Sequence, residues 1–126
     1  KLEAKMMESS VFINNRNGTF TTKALPKEAQ LSPVYGISVG DYDGDGKADI
    51  ITGGNFYESK PEVGIYDGSY GLFLKGDGNG NFISIPAEKS GIVIRGAVRD
   101  IIQLHVKKRN FILIAKNNQQ TELIQY

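Results

Sequence analysis

Cysteine is missing from the 126 residues, and histidine occurs once. Without cysteine no disulfide or thiolate chemistry can form, and the usual marker of secretion goes with it, so this absence fits either compartment. His105 stands far from any Ser/Asp pair that could complete a triad. The alternation in Ile101–Val106 sets Ile102, Leu104 and Val106 on one strand face and His105 on the other, towards solvent. No apolar run approaches the roughly 18 residues of a membrane span. No charge of either sign dominates: the net charge is +1, with 23% charged and 40% hydrophobic residues. This is an ordinary globular composition, with no basic surplus to draw nucleic acid or an anionic membrane. No signal peptide opens the chain, which starts abruptly with Lys1-Leu2-Glu3-Ala4-Lys5 and reads as a piece of something longer.

Glycine is plentiful, with 15 residues, and suits a protein of many turns. The densest chemistry is the run Asp41-Tyr42-Asp43-Gly44-Asp45-Gly46-Lys47-Ala48-Asp49. Four carboxylates in one glycine-broken loop repel each other unless a cation neutralises them. Calcium takes six to eight oxygens, and short Asp side chains supply them only from a chain that curls around the ion. Asp41, Asp43 and Asp45 stand at loop positions one, three and five, Gly46 permits the reversal, and Lys47 offers its carbonyl at position seven. An EF-hand would close with Glu at position twelve, but that residue is Thr52, and here Asp49 closes the ring. Magnesium suits the loop less well, since it prefers a rigid octahedron with several waters. Zinc lacks its His and Cys ligands. The bland alternative is an acidic hairpin turn, because Asp-Gly is common turn chemistry.

The flanks, Val34–Gly40 and Ile50–Gly54, are β-branched and bounded by glycine, so the loop joins two strands. Upstream, Lys1–Glu8 permits a short N-terminal helix, with Met6 and Met7 as packing residues. Val11–Asn14 and Thr19–Lys23 form a hairpin around Asn17-Gly18. Ala24–Pro33 is a polar connection with room for one helical turn. Asn55–Ser69 is a long irregular loop, in which Phe56, Tyr57 and Tyr66, with Tyr70 just beyond, either pack the loop down or line a recognition surface. A second hairpin, Gly71–Lys75 and Asn81–Ile85, turns on Gly76–Gly80, where Asp77 reads as a turn residue first and as a weak second cation candidate after that. Strands follow in Gly91–Val106, Phe111–Lys116 and Thr121–Tyr126. VFINNRNGTF and LFLKGDGNGNF repeat at a spacing of about 60 residues, in the range of propeller blades. The second unit carries no Asp run, so one cation site is expected.

The acidic loop between strands resembles the calcium loop of FG-GAP or VCBS repeats, the blades of integrin-α-type β-propellers. Asp41, Asp43, Asp45 and Asp49 fall on that family's side-chain ligand positions and Lys47 on its backbone-carbonyl position. FINNRNGTF, SPVYGI, DYDGDGKAD, GGNFY, YDGSYG and GDGNGNF, in this order over residues 6 to 118, look like the C-terminal part of multi-repeat VCBS proteins of the Bacteroidetes type.

The expected fold is therefore all-β: two blade-like antiparallel sheets of about eight to ten strands, a partial β-propeller. One domain, 1–126, would comprise a first repeat at 9–60 and a degenerate second at 70–126. The resemblance implies a secreted, cell-surface or periplasmic module, stabilised by Ca2+ and non-catalytic, serving adhesion or binding of a glycan or protein ligand. The alternatives are an accessory domain of a larger secreted enzyme and an architectural spacer. Exposed blade faces would pair in a homodimer. No residue pattern supports nucleotide binding or a glycosidase pair, whose two carboxyls sit on separate elements.

Overall fold

The computed structural model describes residues 2–59, 62 and 64–126. Among them nine strands form three antiparallel sheets and no closed barrel. The strands are β1 (Ser10–Asn14), β2 (Phe20–Ala24), β3 (Val34–Gly40), β4 (Asp49–Gly54), β5 (Leu72–Gly76), β6 (Phe82–Ile85), β7 (Val98–Val106), β8 (Arg109–Lys116) and β9 (Glu122–Gln125). β1 and β2 make a hairpin, β3-β4-β5-β6 a four-stranded sheet in chain order, and β7-β8-β9 a three-stranded sheet. The all-β expectation holds. The sheets number three instead of two, because the first hairpin lies against the second sheet without joining its ladder.

β4 is the axis of this arrangement and is buried along its whole length. Successive strand side chains point to opposite faces. Ile50 accordingly joins Ala29 and Leu74 on the side of the hairpin, with Val11 and Leu25 packed against them. Ile51 joins Phe73, Val98, Ile101, Ile112 and Ile114 on the side of the three-stranded sheet. Two glycines let these layers close up. A Cβ on Gly53 would stand 2.9 Å from the Val98 methyls, and one on Gly36 would stand 2.7 Å from Ile101. The outer edge strand β3 keeps Tyr35, Ile37 and Val39 exposed.

Three local expectations are corrected. Residues 2–8 form no helix, and Lys1 lies outside the described residues. Leu2 and Met7 are fully or largely exposed and Met6 is half-exposed, so the segment has no apolar face to anchor it, and an isolated turn is too short to hold itself. Residues 91–97 are not strand; β7 begins at Val98, after a single helical turn, α1 (Ala87–Ser90), that ends on Gly91 in the left-handed region. The register of β7 shifts between Val98 and Asp100, which turns Ile101 into the core and leaves Ile102 and Val106 exposed. His105 is exposed as expected, but it shares the strand face of the buried Ile101, so the expected alternation is not the reason. The connection to β3 does hold one helical turn, a 3-10 segment at Lys27–Gln30. In the irregular loop, Phe56 and Tyr66 pair through two 2.8 Å backbone hydrogen bonds. Lys60, Pro61 and Val63 of that loop lie outside the described residues.

Candidate metal centre

The acidic run is the connection between β3 and β4, closing where Gly40 pairs with Asp49. Its curl is held by its own carboxylates. Asp41 Oδ1 accepts the amides of Gly44 at 2.8 Å and Asp45 at 3.1 Å, and Oδ2 accepts that of Gly46 at 2.9 Å. Asp43 and Asp45 accept the amides two residues on, at 3.2 and 3.0 Å. These are Asx-type turns, the local bonding that Asp favours. Gly44 and Gly46 both take the left-handed conformation, with φ of 78° and 80°, where a side chain would be strained.

Asp49 is the fixed point of the loop. As the first residue of β4 it is fully buried, and both its oxygens are engaged. Oδ2 accepts the Tyr42 amide at 3.1 Å, and Oδ1 accepts the Gly76 amide at 2.9 Å. The second donor comes from the end of β5, and Gly76 must be glycine there: a Cβ would fall 2.0 Å from the Ala48 carbonyl oxygen. Tyr42 lies over the core, with its ring 4.8 Å from that of Tyr126 and its hydroxyl donating to Ser38 at 2.6 Å. Burial, with the nearby Tyr42, raises the Tyr126 pKa.

Asp41, Asp43 and Asp49 each bring a carboxylate oxygen within 4.8 Å of the others, a group that could hold a metal ion. The spacing fits a hard cation. Oxygens at roughly 2.3–2.6 Å from one ion lie no further apart than about twice that distance. One of the three carboxylates is buried and two are exposed. Asp45 stands outside this group. It faces Lys75 at 2.9 Å and Lys47 at 3.7 Å. The Lys75 ammonium bonds Asp43 as well. Hydrogen bonds to Asp43 and Asp45 push the Lys75 pKa up, and that from Lys75 holds Asp45 below the ordinary carboxylate range. Four aspartates against two lysines leave a local surplus of two negative charges, the charge of one divalent cation.

Sequence reasoning missed Lys75 and Gly76, which lie 26 and 27 residues beyond Asp49. Their only local signal was the second hairpin, which stacks β5 on β4. Asp77 is a turn residue: it accepts the amides of Asn79 and Asn81 and the Asn81 side chain, which lowers its pKa to about 2.

The four aromatic candidates separate. Phe56 turns to Tyr35, 6.4 Å away, and Arg99 lies over both rings. Tyr66 sits opposite Phe56 and is half-exposed. Tyr57 and Tyr70 line a groove elsewhere on the molecule. Sequence reasoning also missed Asn55, which is buried with φ of 73° and seats this loop. Its amide donates to the carbonyls of Ser69 at 2.7 Å and Gly96 at 3.2 Å, and its oxygen accepts the Ser69 amide at 3.0 Å.

No helix among the described residues is long and apolar enough to cross a membrane. No curated protein and no solved structure gave a match to the chain. The profile of the FG-GAP-like repeat family matches residues 6–52, which hold the first hairpin, β3, the whole acidic loop and the start of β4. Residues 6–52 are therefore similar to an FG-GAP-like repeat, and the candidate metal centre lies within the matched stretch.

Proposed function

We propose that the chain is a calcium-stabilised, non-catalytic repeat module of a secreted or cell-surface protein, serving adhesion or ligand binding. One observation carries this reading: three carboxylate oxygens converge within 4.8 Å in a loop seated on a buried aspartate between two paired strands. The ion would be held by Asp41, Asp43 and Asp49, with Asp45 and the Lys47 carbonyl completing the set. Calcium supplies no reaction here. It neutralises the loop and ties β3 to β4, and through Asp49 to β5. The repeats are 9–60 and 70–126, the second without a cation loop.

Thermal unfolding in calcium, magnesium and EGTA tests the proposal. Extracellular modules bind calcium at roughly 10⁻⁴–10⁻³ M, so ten millimolar calcium adds about 1.4–2.7 kcal/mol by mass action. The melting temperature should rise by several degrees, less in magnesium, and not at all in Asp43→Ala/Asp45→Ala. An unmoved wild-type melting temperature at that concentration reduces the loop to an acidic turn.

A further inference from the structure

The loop carrying Tyr57 and Tyr70 folds against the β8–β9 turn and leaves a groove of about 700 Å³, which shares no residue with the acidic loop. That volume is typical of ligand pockets. Its walls are tied to each other. Glu58 accepts the side-chain amides of Asn117 at 2.7 Å and Asn118 at 3.0 Å, joining the loop to the turn. The Tyr70 carbonyl accepts the Ile94 amide at 2.7 Å, joining it to the segment before β7. Asn55 fixes the base of both. A groove framed in this way loses little further freedom when a ligand enters.

The lining chemistry narrows the ligand. Asp67 and Glu122 are matched by Arg95 and Lys116, so the lining carries no surplus charge. Three of the four charges also have a polar partner in the lining, and the fourth, Arg95, has an aromatic one. Lys116 pairs with Glu122, Asp67 accepts the Tyr57 hydroxyl at 2.7 Å, and the Arg95 guanidinium lies 5.7 Å from the Tyr70 ring centre. A phosphate or an acidic peptide would meet one cation without a carboxylate partner, Arg95, in a lining that also holds the carboxylates of Asp67 and Glu122. A lipid finds a wall of amides and charges. What the groove presents is two tyrosine rings, flat and amphipathic, beside three consecutive planar amides, Asn118, Gln119 and Gln120. Side-by-side donors and acceptors match vicinal hydroxyls, and the rings match the C–H faces of a pyranose.

We propose that this groove binds a neutral oligosaccharide, with sugar rings on Tyr57 and Tyr70 and hydroxyls on the amides of residues 118–120. The proposal rests on the ligand-binding part of the function proposed above. Its test is calorimetric titration of the calcium-saturated protein with maltoheptaose, cellohexaose, mannohexaose and xylohexaose, with heparin and gelatin peptides as comparators. At least one neutral sugar should bind. Tyr70→Ala and Gln120→Ala, both exposed positions, should each weaken it about tenfold, the effect of one lost ring contact or hydrogen bond. Both variants should keep the wild-type calcium-induced melting shift, which shows that they fold. Binding by none of the four sugars, sugar binding unaffected by both substitutions, or tighter binding of heparin or gelatin peptides overturns the groove assignment. None of these outcomes touches the calcium reading, which falls only if the melting shift is missing.

Discussion

Asp43 and Asp49 are both candidate ligands, yet they should fail differently when replaced. Asp49 is buried and accepts two backbone amides, so Asp49→Ala strands both donors and should cost about 2–4 kcal/mol even in EGTA. Asp43 is exposed and accepts one weak amide bond and the Lys75 ammonium, so in EGTA Asp43→Ala should cost no more than that surface ion pair, and its larger effect should come when calcium is present. Paired melting curves in EGTA and calcium separate the two. Lys75 supplies a further prediction. Its ammonium bonds the carboxylates that a cation would claim, so it would compete with the proposed ion. Lys75→Met should lower the melting temperature in EGTA and enlarge the calcium-induced rise; an unchanged rise would rule out the competition. The four aspartates were legible in the sequence because their spacing is local. Lys75 and Gly76 were not, because only the pairing of β4 with β5 brings them to the loop.

At the scale of the element, turns were the most legible feature, since glycine and asparagine act through their own backbone. The Asp77 turn allows a direct check. Asn81 and two backbone amides hold the folded carboxyl near 2, below its ordinary 3.8. A depressed carboxylate favours the folded turn above the ordinary value, and the contribution is lost as pH falls towards 2. NMR titration should give an Asp77 midpoint near 2 in the folded protein, and Asn81→Ala should move it up towards 3.8. Strand positions were legible from β-branched runs, but faces were not always. In β7 the register shift near Arg99 moves burial from Ile102 to Ile101, and no alternation rule reads a bulge from one strand alone. The N-terminal stretch had helix-permissive composition, but permission without a surface to pack on gives no helix.

For the whole molecule, three layers meet on β4, and the first hairpin covers the four-stranded sheet only in part. A groove of about 430 Å³ remains there, lined by Val11, Leu25, Ile37 and Ile50 among others, and Val39 is exposed further along β3. β3 is also a sheet edge with unpaired backbone groups, the usual template for association. A second copy of the chain is the proposed occupant. Sedimentation velocity should show a concentration-dependent dimer, and Ile37→Lys/Val39→Lys should leave a monomer with its calcium response intact. A monomer at every concentration would refute the pairing. The groove lined by Tyr57 and Tyr70 was illegible as a unit in the sequence, because its lining comes from three segments between Tyr57 and Glu122.

The amide of Gly76 that seats Asp49 has a consequence for how such a chain can be rearranged. The proposed first repeat ends near residue 60, but the four-stranded sheet runs on through β5 and β6. A duplication or deletion cut at residue 60 would carry off the acidic loop and leave behind the backbone donor that its buried aspartate needs. The portion that can be shuffled or transplanted with the loop's seat intact spans residues 34 to 85, straddling the boundary that the repeat spacing suggests.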